Sequence, residues 1–214
     1  MRAPAQTFDA ILFDLGGVLI ELVGVEQMLR WSPALGSTDE LWRRWLHSPA
    51  VRSFETGGCD RESFAAGVID EFDLPVDPAT FLRAFTHWPR TLFPGATALL
   101  ASLAPRYRLA SVSNTNDLHW ERFEREWSLP ACFHDNFPSY RVGKLKPDAE
   151  YFIHVLDALE LPAGRVLFVD DNRLNVESAA RLGIVARRVP NFAALRSTLD
   201  ALGLLGRDTN GELR

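Results

Sequence analysis

Short apolar runs alternate along the chain with helical patterns, and this alternation constrains the fold more than any other feature. The runs span residues 10–13, 107–112, 166–169 and 184–186, and the helical patterns between them span 96–103, 118–127, 148–159 and 174–182. Strands that alternate with helices in this way build a parallel sheet. We therefore predict an α/β fold with a doubly wound parallel sheet.

Polar residues follow the first three apolar runs at the points where they end. The first run ends on Asp14, the second on Ser113 and Asn114, and the third on Asp170 and Asp171. In open parallel sheets, ligands bind beyond the carboxyl ends of the strands. We expect these three polar segments to converge on one crevice.

The stretch from Glu21 to Arg90 interrupts the alternation. It is rich in aromatic residues at helical spacing and has no clear strand. We interpret it as an inserted helical unit, residues 21–90, carried by a core that consists of residues 1–20 and 91–214. Within the insert, Arg52 and Glu55 are candidate contacts for a sugar group of the substrate.

The composition narrows the class of partner. A formal net charge of -5 provides no basic patch of the kind that nucleic acids or anionic membranes require. The two cysteines, Cys59 and Cys132, have no metal-ligand spacing, and no apolar segment is long enough to span a bilayer. We expect a cytoplasmic protein that acts on a small molecule.

The strand-end residues suit phosphoryl transfer, which needs a nucleophile, a divalent cation and fixed donors for the transferring group. Asp14 can attack as a carboxylate, while Asp171 and Asp170 offer hard oxygen ligands for Mg2+. Phosphate oxygens can be bound by groups in the neighbouring loops, namely Ser113, Asn114, Lys146 and the backbone around Gly16 and Gly17. Each motif alone is more often a turn or a helix cap. Their joint occurrence in this order carries the prediction.

The ordered set resembles the haloacid dehalogenase superfamily over almost the whole chain. Its four motifs correspond here to residues 13–19, Ser113-Asn114, Lys146-Pro147, and 170–172 with Asn175. The resemblance implies that Asp14 forms an aspartyl-phosphate and that Ser113 and Lys146 bind the phosphoryl oxygens. Residues 21–90 would be the α-helical cap that closes over the active site and selects the substrate.

The same resemblance implies a Mg2+ site. Asp14 and Asp171 would coordinate the ion together with the backbone carbonyl of Gly16, and Asp170 would assist. Phosphatases of the superfamily usually carry an acid where this chain has Gly16. That acid protonates the leaving group, and such help is worth about 10^2 to 10^4 in rate.

Within the superfamily, a subfamily resembling alpha-D-glucose-1-phosphatase also has Asp-Leu-Gly in the first motif and Ser-Asn-Thr-Asn in the second, as here at 113–116. An anomeric oxygen is a better leaving group than an ordinary alkoxide, so the missing acid matters less for a sugar 1-phosphate. We therefore expect a Mg2+-dependent phosphatase for a small phosphorylated metabolite, with sugar 1-phosphates as candidate substrates.

Two other functions remain open from the sequence. Gly16 permits a metal-independent 2-haloacid dehalogenase, although such enzymes typically have an aromatic residue at that position and lack an acid pair like Asp170-Asp171. The missing acid also fits a catalytically silent protein that binds a phosphorylated metabolite or a protein partner. Against that stands the retention of Asp14, Ser113, Lys146 and Asp171 together.

Overall fold

A five-stranded parallel sheet forms the centre of the computed structural model, which describes residues 7–32 and 36–206. The strands of the chain are β1 (Ala10–Phe13), β2 (Ile20–Leu22), β3 (Pro89–Leu92), β4 (Arg108–Ser113), β5 (Asp135–Pro138), β6 (Val166–Asp170) and β7 (Val185–Arg188). The main sheet has the order β5-β4-β1-β6-β7, and every neighbouring pair is parallel. The predicted α/β class is confirmed.

Helices cover both faces of this sheet. The helices of the described residues are α1 (Gly24–Trp31), α2 (Thr38–His47), α3 (Pro49–Glu55), α4 (Arg61–Phe72), α5 (Pro78–Thr86), α6 (Ala96–Leu103), α7 (Asp117–Arg125), α8 (Ser139–Val142), α9 (Ala149–Leu159), α10 (Arg173–Arg181) and α11 (Phe192–Ala201). None of these helices is both long enough and apolar enough to cross a membrane.

Strand β1 shows why the sheet is wound on both sides. Its four residues are fully buried and alternate between two hydrophobic clusters. Ile11 and Phe13 pack with residues of α6, α7 and α11, while Ala10 and Leu12 pack with residues of α9 and α10. A strand that is buried on both faces reads as a continuous apolar run, which is the pattern that predicted it.

The fifth strand of the main sheet was not predicted. Strand β5 reads Asp-Asn-Phe-Pro, and only its last two residues are buried. It lies at the edge of the sheet, where polar residues and a proline are tolerated because one side has no neighbouring strand. Its sequence is too short and too polar to show the alternation of apolar and polar residues that predicts a strand.

The prediction that residues 21–90 contain no strand is wrong at both ends of that stretch. Strands β2 and β3 pair antiparallel in a two-stranded ribbon. They have three and four residues, too few for a recognisable alternation. The ribbon leads the chain out of the main sheet into α1–α5 and back again.

Helices α1–α5 have a hydrophobic core of their own. Aromatic side chains dominate it, and Trp45 lies within 6.4 Å, between ring centroids, of Phe64, Phe72, Phe85 and Trp88. This separate core supports the proposed division into a cap of residues 21–90 and a catalytic core of residues 1–20 and 91–214. Residues 1–6, 33–35 and 207–214 of that division lie outside the described residues.

Polar contacts and one close backbone approach fix the helical insert on the core. Arg52 of α3 forms an ion pair with Asp148 at 2.6 Å, and Arg61 of α4 forms another with Asp117 at 2.7 Å. Between them, Gly57 adopts a left-handed φ of +74°, and a Cβ atom there would lie 2.6 Å from the carbonyl oxygen of Tyr140. Only glycine fits this contact without a shift of backbone.

Replacing Gly57 with alanine is expected to destabilise the protein through strain and through the contact with Tyr140. We expect the free energy of unfolding to fall by about 2–3 kcal/mol. Gly143→Ala is the matched control because Gly143 has a φ of +71° and open space around its Cβ position. Gly143→Ala should lower the free energy of unfolding by only about 1 kcal/mol. Urea unfolding of both variants measures the difference, and equal losses would contradict a close contact at Gly57.

Candidate active site

A buried ion-pair triad stands at the carboxyl ends of β1 and β6. The ammonium of Lys146 lies 2.8 Å from Asp14 Oδ1 and 2.7 Å from Asp170 Oδ2, and the lysine side chain is 1% exposed. Burial alone disfavours the ammonium, but the charges of Asp14 and Asp170 outweigh it and raise the pKa of Lys146 above its ordinary value. The lysine is therefore a fixed cation.

Asp14 and Asp170 reach this cation because their strands are neighbours. β1 pairs with β6 so that Phe13 is opposite Val169, and the next residue of each strand is the acid. The two carboxylates consequently stand side by side at one edge of the sheet. The expectation that strand-end residues converge here is met by Asp14, Asp170, Asp171 and Ser113.

Asn114 positions the lysine from the end of β4. Its carboxamide donates to the carbonyl oxygen of Lys146 and accepts from the backbone N–H of Lys146, both at 2.8 Å. The side chain predicted to bind phosphate is thus engaged with the lysine loop. Within the described part of the chain, the backbone N–H of Asn114 has no hydrogen-bond partner and is left to offer a ligand. Ser113 is 4% exposed, and among the described residues its hydroxyl makes only a long 3.4 Å contact with the Asn114 carbonyl oxygen.

The three acids differ in how their oxygens are used. Asp170 is fully buried and accepts hydrogen bonds from Lys146, from the backbone N–H of Asn172 and from Asn175 Nδ2. Its carboxylate therefore holds the site together. Within the described residues, the Asp171 carboxylate receives no hydrogen bond from another residue's side chain, which leaves it free to bind a cation.

Three carboxyl groups face one ammonium, so their full ionisation would leave a surplus of negative charge that the lysine does not neutralise. Burial raises the pKa of Asp14 to about 7, with Lys146 acting in the opposite direction. Burial, followed by the charges of Asp14 and Asp170, raises the pKa of Asp171 to about 8. Three carboxylates facing one ammonium favour a further cation at this place.

The donor set fits Mg2+. Oxygen atoms of Asp14, Asp170 and Asp171 lie within 4.8 Å of one another, and carboxylate oxygens are the hard ligands that Mg2+ prefers. Asn175 adds a buried Oδ1 without a hydrogen-bond partner in the described part of the chain. An acceptor of this kind suits a water molecule of the ion's hydration shell.

Gly17 allows the first loop to pass close to this cluster. Its φ is +74°, and a Cβ atom at this position would lie 2.4 Å from Asp171 Oδ2. Its backbone N–H is already used by the carbonyl of Ile20 at 2.8 Å. The predicted donation from the Gly17 N–H to phosphate is therefore not available in this conformation, because a turn hydrogen bond occupies it.

A cavity of about 550 Å³ opens above these residues and reaches the helical insert. Its floor includes Asp14, Lys146, Ser113 and Asp171. Its walls are mainly apolar and aromatic, with Leu22, Trp42, Trp45, Leu46, Phe85, Trp88 and Phe123. The volume and the lining are typical of a site for a small organic ligand.

An acid and a histidine outside the motifs also line the cavity. Glu55 is 8% exposed at the end of α3, whereas Arg52 is turned to Asp148 and does not line the cavity. His119 was not predicted as a site residue. Burial lowers its pKa to about 4, and its ring nitrogens contact the Phe85 carbonyl oxygen and Asn116 Nδ2. This neutral histidine connects the core to the insert, and no motif would have identified it.

Comparisons with known proteins agree with this geometry. Residues 8–183 match the family model of the haloacid dehalogenase-like hydrolases. The match covers most of the chain, which therefore belongs to this family of hydrolases.

Particular relatives are similar over nearly the whole length. A sesquiterpene phosphatase of Aspergillus oryzae is 27% identical over 196 residues, which cover 88% of this chain and 93% of that protein. A predicted HAD-like family hydrolase from Porphyromonas gingivalis is 25% identical, with a TM-score of 0.72 over 90% of this chain and 98% of that one. A HAD family enzyme from Bacteroides thetaiotaomicron, in complex with magnesium and inorganic phosphate, shares the fold at 24% identity, with a TM-score of 0.68 over 85% and 93%.

Replacing Lys146 with methionine should strongly destabilise the protein, because two buried carboxylates lose their common cation. We expect a loss of about 3–5 kcal/mol in the free energy of unfolding at pH 8. The loss should shrink toward pH 5. The pKa of Asp14, already raised to about 7, rises further without the ammonium, and an acid with a raised pKa destabilises the fold as pH increases through that value.

The chain offers one matched control for this experiment. Lys144→Met removes the other lysine of the sequence, which is only half-buried and lies outside the cavity. It should change stability by less than about 0.5 kcal/mol. Denaturant unfolding at several pH values compares the two variants. Similar losses at both positions would show that the triad contributes no special stability.

Proposed function

We propose that the chain is a Mg2+-dependent phosphatase that hydrolyses a small phosphorylated metabolite through an aspartyl-phosphate on Asp14. The observation that carries the proposal is the cluster at the cavity floor. A buried carboxylate, a fixed ammonium and a second acid with a free carboxylate stand together under a cavity of ligand size. These are the groups that phosphoryl transfer requires.

Each residue at the floor has a role in this proposal. Asp14 is the nucleophile, and Lys146 with the Ser113 hydroxyl and the Asn114 backbone N–H binds the phosphoryl oxygens. Asp14, Asp171 and the Gly16 carbonyl would hold Mg2+, with Asp170 assisting by fixing Lys146. Bound there, Mg2+ would neutralise charge that develops on the transferring phosphoryl group. The magnesium complex of the Bacteroides relative supports this cofactor.

The reaction would proceed in two displacements. One Asp14 carboxylate oxygen forms a bond to phosphorus while the bond to the leaving oxygen breaks, and that oxygen takes a proton to become an alcohol. A water molecule then attacks the phosphorus of the aspartyl-phosphate. It gives up a proton, frees inorganic phosphate and restores the carboxylate. Lys146 stays protonated throughout, because its raised pKa keeps the ammonium charged.

For the organic part of the substrate, we propose an apolar group such as an isoprenyl chain. The aromatic wall of the cavity supports this class, because an extended apolar chain can bury its surface against Trp42, Trp45 and Phe85. The similarity to a sesquiterpene phosphatase points the same way. A sugar 1-phosphate, expected from the leaving-group argument, is the alternative substrate.

A substrate panel separates the two classes. We expect a higher kcat/KM for farnesyl monophosphate than for glucose 1-phosphate, by about tenfold or more, since each buried methylene adds about 0.8 kcal/mol. Glucose 6-phosphate should be the poorest of the three. A preference for glucose 1-phosphate over farnesyl monophosphate would favour a sugar phosphate as the substrate instead.

The metal-independent dehalogenase is disfavoured by the local geometry. An aromatic side chain at position 16 would have to displace Leu22, because even a Cβ atom there would lie 2.8 Å from Leu22 Cδ1. The surplus of carboxylates also has no use in a metal-free reaction. Halide release from chloroacetate without added Mg2+ would support the dehalogenase instead, and no phosphate release from any substrate would support a silent binding protein.

Asn at position 14 is expected to abolish turnover. Asp14→Asn removes the nucleophilic oxygen anion, so phosphate release should fall by about 10^3 or more. Asp157→Asn, at an exposed position of α9, is the control and should retain wild-type activity. Phosphate release is measured with and without Mg2+. Full activity of Asp14→Asn would exclude the aspartyl-phosphate mechanism.

Mg2+ is expected to stabilise the fold, and more strongly at higher pH. At a concentration of ten times Kd, the ion should add about 1.4 kcal/mol to the free energy of unfolding. Without Mg2+, the raised pKa values of Asp14 and Asp171, about 7 and about 8, make stability fall as pH rises toward 8. With Mg2+, the effect of the ion should grow over that range, because it binds the deprotonated carboxylates.

Thermal unfolding from pH 6 to pH 9 tests this linkage. Asp171→Asn should lose most of the shift produced by Mg2+, while Asp157→Asn should keep it. An undiminished Mg2+ effect in Asp171→Asn would mean that the ion binds elsewhere.

A further inference from the structure

The proposed reaction needs a proton for the leaving oxygen, and the first motif does not supply it. Position 16 is a glycine, so no acid follows the nucleophile by two residues. An alkoxide is a poor leaving group unless it is protonated as it departs, and a positioned acid contributes about 10^2 to 10^4 in rate. Another group that faces the cavity would therefore have to supply this proton.

Most of the titratable groups that line the cavity are unsuited to this task. Lys146 is held between two carboxylates, and arginine does not release its proton at neutral pH. His119 is neutral, and both of its ring nitrogens already have partners. Asp14 and Asp171 are committed to the nucleophilic and metal roles. Among the described residues that line the cavity, Glu55 is the acid that remains.

Glu55 is held in place by contacts between the insert and the core. It is the last residue of α3, and the same helix is anchored by the ion pair between Arg52 and Asp148. Two residues after Glu55, Gly57 lies against the carbonyl of Tyr140. These contacts on both sides hold α3 so that the carboxyl group of Glu55 lines the cavity rather than facing solvent. The residue is only 8% exposed.

The surroundings of Glu55 keep its two protonation states close in free energy. Burial is the largest influence and raises the pKa of Glu55 to about 7, with Asp14 acting in the same direction. The nearby Trp45 side chain and the charges of Lys146 and Arg52 lower the pKa. A group that titrates near neutral pH can both give and take a proton at that pH.

We propose that Glu55 is the general acid and base of the reaction and that the insert thereby supplies the function missing at Gly16. In the first step, the Glu55 carboxyl gives its proton to the leaving oxygen as the bond between that oxygen and phosphorus breaks. In the second, the Glu55 carboxylate takes a proton from the water that attacks the aspartyl-phosphate, and the acid is restored. This inference rests on the proposed phosphatase function.

Two aryl-bearing substrates that differ in their leaving groups test this role. Benzyl phosphate releases an alkoxide that needs a proton, whereas 4-nitrophenyl phosphate releases a phenolate that does not. In Glu55→Gln, we expect kcat/KM for benzyl phosphate to fall by about 10^2, and kcat/KM for 4-nitrophenyl phosphate to fall by less than about threefold. The glutamine is nearly isosteric with the glutamate that it replaces.

The second step gives an independent readout. Without a base for the attacking water, Glu55→Gln should release about one equivalent of 4-nitrophenolate per enzyme in a burst and then turn over slowly. The matched control is Glu62→Gln, which alters an exposed glutamate of the same insert outside the cavity. It should change neither substrate's kcat/KM and should show no burst beyond that of the wild type.

The outcomes separate this inference from the proposed function. Equal losses of kcat/KM on both substrates in Glu55→Gln, or a change in KM alone, would overturn the acid and base role and leave the phosphatase intact. Absence of Mg2+-dependent phosphate release from the wild type, or full activity in Asp14→Asn, would overturn the phosphatase itself and this inference with it. Thermal unfolding of Glu55→Gln confirms that the variant is folded.

Discussion

The buried ammonium of Lys146 is the interaction on which the rest of the site depends. An unpaired charge at 1% exposure would carry a desolvation cost of several kcal/mol, so the fold must bring carboxylates to it. It does so by ending two neighbouring parallel strands in Asp14 and Asp170. Because Asn114 at the end of β4 holds the backbone of the same lysine, three strand ends are joined through one residue. When they are ionised, the three carboxylates of the site carry more negative charge than the lysine neutralises. This surplus favours a divalent cation beside Asp171.

The parts of the fold that follow from local physics could be predicted, and those that depend on pairing partners could not. Strand β1 is buried on both faces and therefore reads as an apolar run, which also located Asp14 at its end. Strand β5 at the sheet edge and the ribbon of β2 and β3 are stabilised by their neighbours rather than by their own periodicity. The convergence of the strand-end acids followed from the parallel sheet alone, since carboxyl ends of parallel strands share one edge.

The predicted site required more revision than the predicted fold. The position of a polar residue at a strand end suggests that it belongs to the site. That position does not reveal which hydrogen bonds its side chain makes within the protein. Asn114 lines the cavity and Asp170 is fully buried beside Lys146, and the side chain of each is used to hold that lysine. Glu55 could not be oriented from spacing, because the side of α3 that faces the core is decided by contacts from Arg52 and Gly57 to residues about 80 to 100 positions further along the chain.

Placing the proton donor on the insert rather than beside the nucleophile would change what the insert does. With an acid at position 16, the core alone would hold the nucleophile, the cation ligands and the proton. With Gly16, and with Leu22 occupying the space next to it, the core lacks the last of these. The proposed reaction would then require α3 to be packed against the core. The same packing of α3 against the core would close the aromatic wall over the substrate, so substrate enclosure and proton delivery would become one event. A phosphoryl group that reached Asp14 with the insert displaced would meet a nucleophile but no acid.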